Sequence, residues 1–175
     1  TTTIGKTVSR RNFISTAGAV AAVSGLAASS VSALSIFKGR VPLGLQLYSL
    51  REMANKDFPG VIEAAARMDF DGVEFAGYFD TSAKDLRKML DDAGLKCCGT
   101  HTAMDTLLGD NFQRTVDYNK EIGNKYLIVP WLPEEKLNTK KAGLETAALF
   151  NELDEKAGEQ NMRVGYHNHT FEFKK

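Results

Sequence analysis

The chain has 175 residues, 43% of them hydrophobic and 25% charged, which is room for one ordinary globular domain and unlike a disordered or fibrous chain. Lys plus Arg and Asp plus Glu both total 22, so no basic excess draws in a phosphate backbone, and the balance argues against nucleic acid as a partner. The first 33 residues contain Lys6, Arg10 and Arg11 and no acid, leaving 19 basic and 22 acidic residues in the remainder.

The N-terminus reads as an address label. A polar, basic stretch ends in Ser9-Arg10-Arg11-Asn12-Phe13-Ile14 and is followed by a small, apolar run from Ala17 to Ala33. The run is too rich in Ala, Ser and Gly to match the hydropathy of a Leu-rich spanning helix. Val31-Ser32-Ala33 offers the small residues of a peptidase site. Arg10-Arg11 with Phe13 resembles the twin-arginine signal of bacteria, a receptor-read motif rather than an anchor. Residues 1–33 are therefore expected to be a cleaved export signal, residues 34–41 a linker and residues 42–175 the folded part. That part would be periplasmic or otherwise exported, with no membrane span after cleavage.

Beyond Arg40 the pattern becomes regular. Leu43, Leu45 and Leu47 alternate with Gly44, Gln46 and Tyr48 on a first strand, and Phe58, Val61, Ile62, Ala65 and Met68 form the stripe of a first helix. Gly72 to Ala76 is a second strand. Ser82 and Asp85 pair as a helix cap before Leu86, Met89, Leu90 and Ala93, with Gly94 as the stop. Leu95 to Thr102 is a third strand, Asn111 to Ile122 a helix and Tyr126 to Trp131 a fourth strand. A long helix covers Thr139 to Gln160, and Arg163 to Phe171 is a fifth strand. Cys97 and Cys98 are adjacent on strand three, where neighbours point to opposite faces, so they read as buried thiols without a mutual disulfide.

These strand starts recur about every 30 residues, and eight such units come to about 240, near the usual length of an eightfold β/α barrel. Only 142 residues follow Ala33. The expected fold is thus α/β, a (β/α)8 TIM barrel truncated after about strand five. A five-stranded doubly wound sheet is the competing architecture.

In a barrel the chemistry sits at the C-terminal ends of the strands. Gln46 and Tyr48 end strand one, Glu74 lies in strand two, His101 ends strand three, and Tyr166-His167-Asn168-His169 with Glu172 ends strand five. His167 and His169 are two residues apart, so on a strand they share a face about 6.6 Å apart, a spacing that lets two imidazoles reach one ion. Glu172 can add an oxygen ligand or act as a base. Glu74 between Val73 and Phe75 is costly to bury without a partner, so it is either paired or facing substrate. His101 reads as a functional imidazole or a core histidine bonded to a carbonyl. Trp131 can stack on a sugar ring or pack on the rim. No GxGxxG, Walker loop or GxSxG elbow occurs in the chain.

Leu45-Gln46-Leu47-Tyr48-Ser49-Leu50-Arg51, Asp71 to Tyr78 and Gly165-Tyr166-His167-Asn168-His169-Thr170-Phe171-Glu172-Phe173 resemble the sugar phosphate isomerase/epimerase family, across Pro42 to Lys175. The resemblance implies a xylose-isomerase-like TIM barrel, a small-molecule sugar substrate and a divalent metal such as Mn, Zn, Co or Mg. The metal would be held by a carboxylate at strand five and by Asp, His and Glu residues of later strands. Tyr166-His167 stands where many epimerases place a Glu, so His167, His169 and Glu172 compete for the ligand role. The implied catalytic set is Glu74, His101 and Glu172, with Gln46, Tyr48, Trp131 and Asn168 binding substrate. The implied reaction is metal-assisted proton transfer through an enediolate, giving isomerisation or epimerisation. A lyase or hydratase acting on oxidised glycosides, and a noncatalytic sugar-binding role or an inactive fragment, are the alternatives. A homo-oligomer stays open.

Overall fold

The computed structural model describes residues 40–173, and the unit that begins at Pro42 carries every strand and helix among them. The twin-arginine segment, the Ala33 cleavage site and most of the 34–41 linker lie outside the described residues.

Five parallel strands alternate with helices. In chain order they are β1 (Gly44–Gln46), α1 (Arg51–Ala54), α2 (Phe58–Arg67), β2 (Gly72–Phe75), α3 (Ala83–Ala93), β3 (Lys96–His101), α4 (Asn111–Glu121), β4 (Tyr126–Val129), α5 (Lys140–Gly158) and β5 (Arg163–Tyr166). The helix boundaries follow local chemistry. Asp57 accepts the Gly60 N–H at the start of α2, Ser82 accepts the Asp85 N–H at α3, and Thr139 accepts the Ala142 N–H at α5. Gly94 ends α3 at φ 66°, in the left-handed region where a residue without Cβ meets no steric cost.

Strand order in the sheet is β1-β2-β3-β4-β5, all pairs parallel. A doubly wound sheet reverses its strand order about a switch point, whereas a β/α barrel lays its strands down in sequence, so the observed order decides for the barrel arrangement. Val73 and Phe75 of β2 pack under α2 and α3 with Phe58, Ile62, Leu86 and Leu90. Leu127 and Val129 of β4 form a second cluster with Phe112, Val116, Leu153 and Ala157 from α4 and α5. The helices thus cover the face carrying Val73, Phe75, Leu127 and Val129. The opposite face carries Gln46, Glu74, Gly99 and Ile128.

Two expected strands are shorter than the apolar pattern implied. The Gln46 side chain accepts the Tyr48 N–H, so β1 stops at Gln46 and the chain turns into a 3-10 segment, Leu47–Leu50. β5 stops at Tyr166 rather than Phe171. Glu172 accepts from the Tyr166 hydroxyl and from the His169 N–H, folding Asn168 to Phe173 back on the strand end. His167 and His169 therefore do not meet as two residues on one strand face.

Between Val73 and Glu74 the register with β3 shifts by one, so Val73 pairs with Cys97 but Glu74 pairs with Gly99. Cys97 packs into the helix-side cluster, while Cys98 points the other way, toward Gly44 and Gly72. The expectation that both thiols are buried holds only in part, for Cys98 is exposed. Burial pushes the Cys97 thiol up to about 12, so it is an inert packing group at neutral pH.

Candidate active site

The C-terminal ends of the strands converge on a cleft of about 540 Å³ whose walls include Tyr48, His101, Trp131, His167 and His169. Five residues singled out from the sequence thus line one cavity, on the strand edge where barrel chemistry is expected. Behind His101 lies Glu74, 3.3 Å from its Nε2 through Oε1.

Gln46 holds this pair. The backbone N–H of Tyr48 donates to Gln46 Oε1 at 2.7 Å, which fixes the orientation of the amide and turns Nε2 toward the other two side chains. Gln46 Nε2 donates to Glu74 Oε1 and stands 3.1 Å from His101 Nε2. An amide nitrogen only donates, so His101 Nε2 accepts, and the neutral ring carries its proton on Nδ1. Desolvation, opposed by Glu74 and reinforced by the cations that His167 and His169 can become, holds the His101 pKa below its ordinary value. His101 is consequently a neutral acceptor at pH 7. Glu74 Oε2 has no hydrogen-bond partner among the described residues, so one carboxylate oxygen is anchored and the other is available.

Beneath the pair is a buried polar network that the sequence did not disclose. Asn119 of α4 accepts from Thr100 Oγ1 at 3.0 Å, from Asn124 Nδ2 at 2.8 Å and from the Tyr78 hydroxyl at 3.2 Å. It donates to the Thr115 carbonyl at 2.8 Å. Thr100 also meets Thr102 at 3.1 Å, so the end of β3 that bears His101 is tied to α4 by side-chain bonds. Polar residues inside an amphipathic helix give no periodic signal, which is why Asn119 escaped notice. Gly99 was likewise passed over, although a glycine within a strand pattern marks a bulge or a close approach.

Past the ends of β3 and β5 the three histidine rings adjoin: His101 meets His167 edge-on, 5.4 Å between centroids at 84°, and His167 lies tilted at 44° and 4.8 Å from His169. The 4.8 Å spacing arises in the loop after β5, not from strand geometry. Glu172 does not join them on the cleft wall. Burial opposes its charge, but the Tyr166 hydroxyl and the backbone N–H groups outweigh that and hold its carboxyl below the usual range. Asn168 is exposed, its amide 3.5 Å from the His169 carbonyl. Tyr48 is 55% exposed, its ring capped at 4.5 Å by the Arg51 guanidinium, and Trp131 is 57% exposed.

Among the described residues no group of three or more His, Cys, Asp or Glu side chains is gathered closely enough to hold a metal ion. The side chains of residues 40–173 do not by themselves fit one, because the carboxylate nearest the His167–His169 pair in sequence is bonded to Tyr166. No described helix is long and apolar enough to cross a membrane.

Comparison with solved structures places the fold. Two sugar phosphate isomerase/epimerase structures from Parabacteroides distasonis are 26% and 27% identical, with TM-scores of 0.60 and 0.64, over 79% and 76% of this chain. A xylose isomerase domain containing protein from Salmonella typhimurium is 12% identical, with a TM-score of 0.53, over 73% of this chain and 51% of its own; at that identity the likeness speaks to the fold alone. The chain spans only 55% and 56% of the two Parabacteroides structures. It therefore carries part of a xylose-isomerase-like TIM barrel. No protein-family model matches the chain, and no curated protein sequence matches it.

Proposed function

We propose that this chain supplies the proton-transfer half of a sugar isomerase or epimerase site, with Glu74 as the base, His101 as its proton-exchanging partner and Gln46 as the residue that positions both. The observation carrying this reading is the Gln46–Glu74–His101 constellation at the head of the cleft. Its support is the likeness to sugar isomerases and epimerases of the two solved structures above 25% identity.

The chemistry follows from the donors and acceptors. A carboxylate held on one oxygen by an amide keeps its second oxygen oriented toward a C–H adjacent to a sugar carbonyl. Removal of that proton breaks the C–H bond and leaves the electron pair delocalised onto the carbonyl oxygen as an enediolate. Glu74 takes the proton on Oε2; its Oε1 stands 3.3 Å from His101 Nε2, so turning the carboxyl brings the proton to a neutral imidazole that can take it and return it by the same route. Return to the neighbouring carbon gives isomerisation; epimerisation needs a second acid on the opposite face of the enediolate, which Glu74 and His101, side by side, do not supply. Tyr48 and Trp131 present aromatic surface to the sugar, and His167 and His169 offer hydrogen bonds to its hydroxyls.

A divalent ion is carried as part of the same proposal, as a stabiliser of enediolate charge. His167 and His169 are the nitrogen donors this chain would offer; the remaining ligands would have to come from outside residues 40–173, and no step above uses the ion. Export through the twin-arginine pathway is proposed likewise from the residues before Ala33.

The test is hydrogen wash-in. The intact protein is incubated in D2O with a panel of aldoses, ketoses and their keto derivatives, and carbon-bound deuterium is read by NMR. Wild type should incorporate deuterium next to the carbonyl, and Glu74→Gln should slow this by about 100-fold or more. Unchanged incorporation in both Glu74→Gln and His101→Ala would overturn the assignment.

A further inference from the structure

The cleft does not end at Trp131. A second cavity of about 500 Å³ begins on its far side, between the loop after β3 and the start of α5, and shares Ala103, Pro130 and Trp131 with the cleft. Its walls are mostly apolar: Met104, Leu108, Leu132 and Leu149 line it beside three polar residues, Asp105, Lys136 and Thr146. Leu108 is 41% exposed and Trp131 57%, so this surface faces solvent with nothing among the described residues covering it. A volume of this order is that of a small-molecule subsite, and the shared wall makes it continuous with the proposed sugar site.

A third cavity, of about 460 Å³, meets the cleft at His101 on the other side, and its chemistry is different. There the polar groups are already engaged. Tyr118 donates to the Thr81 carbonyl at 2.7 Å, Thr115 to the Thr106 carbonyl at 2.7 Å, and Arg114 to the Asn111 side chain. A polar substrate group entering that side would compete with these bonds. On the Trp131 side Thr146 is likewise engaged, donating to the Lys136 carbonyl at 2.8 Å, but an apolar group entering there needs no polar partner and removes apolar surface from water.

Resting on the sugar reading, we infer that the substrate is a glycoside with an apolar, non-sugar substituent. The sugar ring lies in the histidine-lined cleft, and the substituent crosses Trp131 into the cavity walled by Met104, Leu108 and Leu149. Trp131 is a dividing wall used on both sides, which accounts for a large aromatic residue standing exposed between Pro130 and Leu132.

Trp131 is the chain's only tryptophan, so its fluorescence reports directly on this wall. The intact protein is titrated with matched methyl and phenyl β-glycosides of glucose, galactose and mannose, and with phenol. At least one phenyl glycoside should bind about tenfold or more tighter than its methyl partner, the effect of burying roughly 60 Å² of ring surface. Leu108→Asp, an exposed position outside the proton-transfer set, should abolish that advantage and leave methyl glycoside binding unchanged. Equal affinities within every pair would overturn the inference while leaving the sugar reading intact. Phenol binding as tightly as the phenyl glycosides would also overturn it, as an isolated apolar pocket. Failure of every glycoside to bind would overturn both.

Discussion

Gly99 lies directly opposite Glu74 in the β2–β3 register, and a Cβ on Gly99 would stand 3.2 Å from Glu74 Oε2 and 3.1 Å from Ile128 Cδ1. The carboxylate occupies the space that a side chain at residue 99 would take. Both distances are tighter than ordinary van der Waals contact, so Gly99→Ala forces Glu74 or Ile128 to move by a few tenths of an ångström. Stability should fall by about 1 kcal/mol in urea unfolding. Deuterium wash-in should fall further than stability does, since misplacing the base is felt mainly in the reaction. Full wash-in by Gly99→Ala would show that Glu74 has no fixed position to lose.

His101 offers a pH test. Desolvation first, with the neighbouring histidines, holds its folded pKa below 6.5 against the opposing pull of Glu74. The unfolded ring protonates at the higher pH, so the contribution of this group to stability is complete above the unfolded value and declines as pH falls below it toward the folded value. An NMR titration of the three histidines should find His101 titrating below 6.5. Gln46→Glu places a second carboxylate beside the ring, and the His101 titration should then move upward. A His101 titrating at or above 6.5 in the wild type would remove the case for a neutral acceptor.

Asn119 is 1% exposed and satisfies Thr100, Asn124 and Tyr78 together. Asn119→Ala removes an acceptor shared by three donors; Thr100 keeps Thr102 and Asn124 keeps the Tyr126 carbonyl, while the Tyr78 hydroxyl loses its bond, and the expected loss is about 2 kcal/mol in chemical denaturation. Because Thr100 is one residue from His101, the His101 titration should also broaden or shift in this variant. A loss below about 1 kcal/mol would mean that water replaces the network.

Tyr166→Phe removes the hydroxyl that Glu172 Oε1 accepts. The carboxyl of Glu172, held below its usual value by that bond and by the His169 N–H, should titrate at higher pH in the variant. A depressed carboxylate stabilises the fold above its unfolded pKa and loses this as pH falls through its folded pKa. The acid limb of the stability curve should therefore flatten in Tyr166→Phe. Amide exchange at His169 should quicken at neutral pH, which separates this loop effect from a global one.

At the N-terminus, replacing Arg10 and Arg11 together by Lys should leave the protein uncleaved in the cytoplasmic fraction of its host, whereas the wild type should be shortened to begin after Ala33. Cell fractionation with N-terminal sequencing decides it.

Much of the fold was legible because strand and helix periods differ and their caps are chemically explicit: Ser82, Gly94 and Thr139 mark helix ends whatever the tertiary context. The ends of β1 and β5 were not legible. Both are set by side chains reaching back to the backbone, Gln46 to Tyr48 and Glu172 to His169, and such bonds leave no periodic trace. The cleft-lining set of Tyr48, His101, Trp131, His167 and His169 could be read because barrels concentrate polar groups at strand ends. The bond between Glu172 and Tyr166 could not, since it depends on a chain reversal that the apolar alternation of Phe171 and Phe173 concealed.

The register shift in β3 has a bearing on how this protein tolerates change. Were Cys98 paired regularly with Glu74 instead of bulged out, Gly99 would pair with Phe75, and His101, two positions on, would point into the helix layer rather than toward Glu74. The side on which the imidazole emerges accordingly depends on Cys98 being bulged out of the ladder more than on what residue 98 is. Cys98 should accept Ser, Ala or Thr with little effect, and its deletion, which takes away the bulged residue, would keep Gly99 opposite Glu74 and the imidazole on the same side of the sheet.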